Sequence, residues 1–184
     1  MENINLFLPE IFLVLTILGT LMIGVFYKNS YNLVTKIIYG ILVTLILIIL
    51  NSFNGSFKLF SDSFVSNSFT NFFKILILIG TFFILIITQN FIKENKINNF
   101  EYPVVLLLSV LGMFIIISAN DLILFYLGLE LQSLALYILA SLDRNNLKSN
   151  EAGLKYFILS ALASGLLLYG CSLLYGFTGS TNFE

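Results

Sequence analysis

The sequence predicts an all-α fold: a polytopic membrane helix bundle with about six transmembrane helices. Of its 184 residues, 58% are hydrophobic and only 10% are charged, whereas soluble domains carry about 25% charged residues. A water-soluble fold of this size could not cover so much apolar surface with so few charges. Nucleic-acid binding is excluded because no basic stripe exists, and disorder is excluded because low hydrophobicity is its signature. The remaining class is an integral membrane protein.

Six apolar segments follow one another along the chain. At a rise of 1.5 Å per residue, each can span the roughly 30 Å of bilayer hydrocarbon. Polar residues do not recur at every second position, so the segments predict helices and not barrel strands. They are Leu6–Tyr27, Leu33–Leu50, Phe72–Phe91, Pro103–Ala119, Leu122–Leu142 and Ala152–Tyr175.

The connections are short except for residues 51–71, which mix Ser and Asn with Phe. We expect an interfacial loop whose Phe side chains rest on the bilayer or on a partner. Asn120 and Asp121 predict a tight connection, or a helix cap, between the fourth and fifth helices. Residues 1–102 would then hold helices one to three with the interfacial loop, and residues 103–184 would hold helices four to six.

Basic residues predict the orientation of the chain in the membrane. The loops after the odd-numbered helices carry six of them, so these loops should face the cytoplasm or matrix and both termini the outer side. The N-terminus, the other loops and the tail together carry only Lys58 and Lys74, and Lys74 lies at a helix edge. Lys155 is not included in this count. The six are Lys28, Lys36, Lys93, Lys96, Arg144 and Lys148.

Missing residue types restrict the chemistry. The chain has no His and one Cys, Cys171, which excludes a His-ligated haem, the usual zinc sites, an iron–sulfur cluster held by this chain alone and an internal disulfide. No glycine-rich phosphate-binding motif is present. We therefore expect no metal and no cofactor on this chain, and any redox group must belong to other chains.

Glu130 is the main candidate for chemistry, because it lies near the middle of the fifth apolar segment. A charge at that depth costs on the order of 2.5–3.5 kcal/mol on insertion scales, and such residues usually serve a proton or ion pathway. Burial disfavours a charged carboxyl and a nearby ammonium favours it, so a carboxyl balanced between the two can load and release a proton. Ser133, one turn away, could orient water or the carboxyl. The alternative is a neutral Glu130 that hydrogen-bonds a neighbour for packing.

Lys155, which opens the sixth segment, is the second candidate. It lies about one turn inside the membrane surface, so it is either a snorkelling anchor or part of a relay. Helix arithmetic does not bring it into a direct salt bridge with Glu130. Glu10 is interpreted as a carboxylate favoured by the N-terminal end of the first helix. The small-residue pairs Ser160/Ser164 and Ala161/Gly165 predict close helix packing.

The second half of the chain resembles subunit 2 of proton-pumping NADH:ubiquinone oxidoreductase (complex I), called subunit N in bacteria and related to the Mrp-type cation/proton antiporter subunits. The resemblance covers residues 100–184. It rests on three runs in the family's order and spacing, extended upstream to Phe100 by FEYPVVLLLSVLGMFIIISANDLILFYLGLE. The three runs are LELQSLALYILA, EAGLKYFILSALASGLLLYG and LLYGFTGSTNF.

The resemblance implies an antiporter-like subunit of some fourteen helices with two inverted five-helix repeats. Glu130 then matches the fifth-helix glutamate of the proton pathway and Lys155 the sixth-helix lysine. The family's further lysines, in the seventh and eighth helices and in the second repeat, have no counterpart here. The chain would be the N-terminal portion of such a subunit, and residues 103–184 would begin its first repeat.

The expected setting follows from the resemblance and the composition. Either the gene is split and a companion chain supplies the remaining helices, which we favour, or the chain is a truncated copy. Other complex I membrane-arm subunits and lipids are the further partners expected. Rich use of Ile, Phe, Asn and Lys indicates an AT-rich mitochondrial genome, hence a multi-pass protein of the mitochondrial inner membrane. The chain would translocate protons within an NADH:ubiquinone reductase without redox chemistry of its own. A structural membrane-arm subunit without pumping and an Mrp-type antiporter component are the alternatives.

Overall fold

A computed structural model describes residues 7–27, 30–51, 57–60, 62–94 and 99–183, and these residues form six long helices and one small hairpin. All six helices are long and apolar enough to cross a membrane. The predicted fold class is therefore confirmed, and the chain is a multi-pass membrane protein. The elements are α1 (Leu8–Phe26), α2 (Ser30–Asn51), β1 (Phe57–Leu59), β2 (Phe64–Ser66), α3 (Ser68–Glu94), α4 (Glu101–Ser118), α5 (Leu122–Ala140) and α6 (Leu147–Thr178).

Helices α3 and α6 begin four and five residues before their apolar runs, because polar caps start them outside the apolar stretch. Before α3, Asn67 Oδ1 accepts a hydrogen bond from the backbone N–H of Thr70, and Thr70 Oγ1 accepts one from the backbone N–H of Asn67, both at 2.9 Å. Such reciprocal bonds satisfy N–H groups that have no partner within the helix. Before α6, Asn146 Oδ1 accepts from the backbone N–H of Lys148. Both helices therefore extend beyond the predicted apolar segments.

The fourth helix is the centre of the bundle. It packs against α1, α2, α3 and α5, and 61% of the residues in its membrane-spanning stretch are buried. Leu107 and Phe114 of this helix are fully enclosed, as are Leu13 of α1 and Leu42 of α2. By contrast, no residue in the most apolar 18-residue stretch of α6 is buried. This helix packs chiefly against α5. One side of the molecule is thus far less enclosed than the other.

Helices α4 and α5 approach each other through glycines. A Cβ atom on Gly112 would lie 2.6 Å from the backbone nitrogen of Gln132, and one on Gly128 would lie 2.8 Å from Ile116 Cγ1. Both distances are shorter than van der Waals contact allows. Gln132 is two residues from Glu130, so this crossing fixes the part of α5 that carries the candidate carboxyl.

At one end of the bundle, three chain segments form what we call the connecting layer: residues 62–66, 119–121 and 180–183. Phe64 pairs with Ala119, and Asp121 pairs with Asn182, in antiparallel bridges. Asp121 caps α5 as predicted, because its carboxylate accepts from the backbone N–H groups of Ile123 and Leu124. Its second oxygen accepts a hydrogen bond from Thr181 Oγ1 at 2.5 Å. The layer holds the start of α5 against the segment that follows α6.

In the region expected to form an interfacial loop, the phenylalanines whose side chains the structure describes divide into two groups. Phe60 and Phe69 are exposed, as an interfacial role requires. Phe64 departs from the expectation, because it is only 2% exposed and its ring lies edge-on to Phe7 at 5.1 Å. It belongs to β2 and points into the protein, since pairing with Ala119 draws the strand over the bundle. Residues 52–56 and 61 lie outside the described part of the chain.

Candidate functional site

Glu130 lies in the middle of α5, about 12 Å along the helix from its first residue and about 15 Å from its last. It lines a groove of about 200 Å³ between α5 and α6. The groove contains four hydroxyl-bearing side chains besides the carboxyl. Its lining residues are Tyr126, Leu129, Glu130, Ser133, Ser160, Ala163, Ser164 and Leu167. The sequence-predicted carboxyl thus faces a polar strip within an otherwise apolar span.

Aromatic and small-residue contacts set the register of α5 against α6. The ring of Tyr137 packs edge-on against Tyr156, at a centroid distance of 4.8 Å. One turn away, Gly153 lies so close to Ser141 that an added Cβ would be 2.7 Å from the serine Cβ. In an antiparallel pair with this register, Glu130 is level with Ser164. The two α6 serines expected only to pack helices therefore line the same groove as the carboxyl.

Lys155, the second candidate, does not line the groove that contains Glu130. Its ammonium is 2.5 Å from Glu151 Oε1, one turn earlier on the same helix, and both side chains are exposed. In the α5–α6 register it is level with Leu139, about 13 Å along the axis from Glu130. The structure does not bring the two candidates together, in agreement with the helix arithmetic. An exposed lysine paired at i,i+4 fits the snorkelling interpretation at least as well as a relay.

Ser133 makes a different hydrogen bond from the expected one. Its hydroxyl donates to the backbone carbonyl of Glu130 at 3.0 Å and does not orient the carboxyl. Within the described part of the chain, the Glu130 carboxylate has no hydrogen-bond partner. An intramembrane carboxyl is costly, so its position in a hydroxyl-lined groove singles it out among the charges of the bundle.

A second ionisable site, between Glu10 of α1 and Lys74 of α3, was not predicted from the sequence. Lys74 Nζ lies 2.6 Å from Glu10 Oε1, and both side chains are at most 2% exposed. The ammonium also lies 5.4 Å from the ring centroid of Phe64 and 5.8 Å from that of Phe114. Glu10 Oε2 is buried without a partner in the described residues.

The structure adds to one earlier interpretation of this pair and corrects the other. Glu10 does lie in the first turn of α1, as expected, but it is also buried and paired. Lys74 is not at a helix edge, where it was expected. The reason is that α3 begins at Ser68, which places Lys74 in its second turn and inside the bundle. Lys74 therefore no longer counts as a surface charge for the orientation, and the basic-residue asymmetry becomes stronger.

Comparison with known proteins places residues 119–184 in the family model described as the transmembrane part of NADH:quinone oxidoreductase and Mrp antiporters. The chain is 55% identical to NADH-quinone oxidoreductase subunit N of Pelagibacter ubique, over 100% of this chain and 39% of that protein. It is 48% identical to the subunit N of Bartonella bacilliformis, over 97% of this chain and 37% of that protein. The chain belongs to the subunit N family.

Solved structures agree with this assignment. Respiratory complex I from Thermus thermophilus superimposes with a TM-score of 0.78 and 26% identity, over 96% of this chain and 38% of the matched one. An archaeal membrane-bound sulfane sulfur reductase gives the same TM-score at 20% identity, which shows a common fold. The chain thus spans under two fifths of the length of its subunit N relatives. Glu130 and Lys155 fall within the family-model match, whereas Glu10 and Lys74 precede it.

Proposed function

We propose that this chain is the N-terminal part of a proton-translocating membrane-arm subunit of respiratory NADH:ubiquinone oxidoreductase, complex I. The observation that carries the proposal is the Glu130 carboxyl, which lies mid-span in a hydroxyl-lined groove within the family-matched region. Glu130 would accept and release the proton. Lys155 would take part at the inner end of the path, through water or other groups, because it lies too far away for direct transfer.

The chain's share of the enzyme is proton transfer and not electron transfer. In this proposal NADH oxidation and quinone reduction take place on other subunits, and the released energy changes the hydration and charge around Glu130. Residues 103–184 would form the start of the first antiporter-like repeat. The names of the relatives support the complex I branch over an Mrp-type antiporter, although the family model covers both.

The first prediction concerns Glu130→Gln, which keeps the size of the side chain and removes its proton. We expect this variant to assemble normally and to pump fewer protons per NADH oxidised. Proton uptake and NADH oxidation would be measured together in sealed membrane vesicles. Glu101→Gln is the matched control, since Glu101 is an exposed carboxyl paired with Arg144 at the bundle end. A normal proton yield in an assembled Glu130→Gln enzyme would favour a purely structural subunit.

The proposal has three further parts concerning the setting of the chain. The composition supports a mitochondrial inner membrane, although the relatives named above are bacterial. The exposure of α6 supports a cover of further helices, carried by a companion chain if the gene is split. Other membrane-arm subunits and lipids would contact the remaining apolar faces.

The second prediction concerns orientation. The connecting layer should face the outer side, and the turn at Arg144 and Asn145 should face the matrix or cytoplasm, because basic residues concentrate at the latter end. Cysteines introduced at Asn145 and Asn182, with Cys171 replaced by Ala, would be labelled with a membrane-impermeant maleimide. We expect only Asn182→Cys to react from the outer side. Reaction of Asn145→Cys from that side would reverse the orientation.

A further inference from the structure

A second groove lies between α1 and α4, separate from the one between α5 and α6. Its volume is about 320 Å³, and aliphatic side chains form most of its wall: Ile11, Val14 and Leu15 from α1, Leu111 and Ile115 from α4. The three α1 side chains are between 39% and 62% exposed, whereas Leu111 is only 8% exposed. The α1–α4 groove therefore opens at the surface of the bundle and reaches inward to Leu111.

The wall of the α1–α4 groove is apolar although Glu10 contributes to it. Glu10 is only 1% exposed, and its Oε1 atom lies 2.6 Å from Lys74 Nζ on α3. This ion pair draws the carboxylate into the bundle and leaves the methylene groups of Glu10 on the groove side. Among the described residues, no polar atom is exposed on the wall. The occupant must be apolar as well, because a polar group would find no hydrogen-bond partner there.

The α1–α4 groove extends through most of one leaflet of the bilayer. Its α1 wall, from Phe7 to Leu15, is about 12 Å long at 1.5 Å per residue, and one leaflet contains roughly 15 Å of hydrocarbon. Phe7 packs edge-on against Phe60 and Phe64, at 5.7 and 5.1 Å between ring centroids. Since Phe64 belongs to the connecting layer, the groove begins at that surface of the membrane. A chain that enters there ends near the middle of the bilayer.

We propose that one acyl chain of a phospholipid, from the leaflet on the side of the connecting layer, is a resident ligand of the α1–α4 groove. The volume excludes a transmembrane helix, since a helix segment 12 Å long and 10–12 Å across occupies roughly 1,000 Å³. A single hydrocarbon chain fits the narrow space and restores the dispersion contacts that the groove wall would lose beside a void. The role of this lipid is structural, and it is independent of proton transfer at Glu130.

The test uses a phosphatidylcholine with a photoreactive diazirine on one acyl chain. The assembled complex is stripped of phospholipid in detergent, checked by its phosphorus content, and reconstituted with the labelled lipid. The vesicles are then fused with an excess of unlabelled phosphatidylcholine, and adducts formed on illumination are mapped by mass spectrometry. We expect adducts at Leu111 to persist through this dilution. Adducts at Leu18 should disappear, because Leu18 is 57% exposed on α1 and lies outside the groove.

A groove-filling variant and a matched control locate the bound chain. Val14→Trp places a large ring in the groove and should lower the adduct yield at Leu111 about tenfold, because an overpacked groove excludes the chain. Leu18→Trp adds the same ring to the same helix outside the groove and should leave that yield unchanged.

The remaining outcomes would contradict the proposal. If Leu111 and Ile115 form no adducts, the groove is closed or filled by another protein chain. Leu111 adducts that vanish on dilution as fast as those at Leu18 would show bulk lipid only. Equal Leu111 yields in Val14→Trp and Leu18→Trp would place the labelled chain outside the groove. If Val14→Trp does not assemble, the comparison of Leu111 with Leu18 in the wild type decides. A normal proton yield in Glu130→Gln would overturn the proposed function and leave the lipid site standing.

Discussion

Replacing Lys74 with methionine is expected to destabilise the helix bundle by about 3–5 kcal/mol, the usual cost of leaving one member of a buried ion pair alone. The substitution removes the one hydrogen-bond donor to Glu10 Oε1 among the described residues, where Glu10 Oε2 already lacks a partner. Both side chains are almost completely enclosed, so water cannot compensate. Glu10→Gln should have a similar effect, because it leaves an ammonium between the rings of Phe64 and Phe114. The measurement is the amount of assembled complex in native gels and its melting temperature in mild detergent.

Two further variants separate the lost pair from lost packing. The double variant Glu10→Gln/Lys74→Met removes both charges and should recover most of the stability, since replacing a whole buried pair is often neutral. Arg144→Met is the matched control at an exposed pair with Glu101, where we expect a change of about 0–1 kcal/mol. A double variant as unstable as the sum of the single ones would show that Glu10 and Lys74 do not depend on each other.

This pair shows where sequence reasoning fails for a membrane bundle. Glu10 and Lys74 are 64 residues apart, and each lies near the start of a helix, where a charge is ordinarily solvated. One signal could have linked them. Helices α1 and α3 begin at the same side of the membrane, so opposite charges in their first two turns lie at similar depth. Whether the two helices are neighbours is set by packing around α4, which no local pattern reveals.

The helices and the candidate carboxyl were easier to predict. Unbroken apolarity is required by the bilayer itself, so the six spans and the mid-span position of Glu130 follow from the chain directly. The starts of α3 and α6 were missed because Asn67 and Asn146 cap them in polar stretches that hydropathy does not register. The hydroxyls that line the groove were missed because the α5–α6 register depends on contacts such as Tyr137 with Tyr156.

Gly112→Leu is expected to prevent assembly, and Gly112→Ala to destabilise the bundle by roughly 1–3 kcal/mol, as overpacking of a filled interior does. Even the single methyl of alanine would meet backbone atoms of Gln132 at 2.6 and 2.9 Å. Backbone atoms in a hydrogen-bonded helix cannot rotate away as a side chain can. The only relief is a shift of α5 away from α4, and that shift displaces the segment carrying Glu130.

The control for this substitution is Gly80→Ala, in the middle of α3, where an added Cβ would meet no atom within 4 Å. Alanine is also the better helix former, so Gly80→Ala should assemble as well as the wild type. Assembly would be compared by native gels, and proton yield per NADH would be measured in any Gly112→Ala enzyme that forms. We expect that enzyme to lose proton yield as well as stability, because the close α4–α5 contact sets the depth and direction of Glu130. Equal behaviour of the Gly112→Ala and Gly80→Ala variants would show that the two helices do not need this close approach.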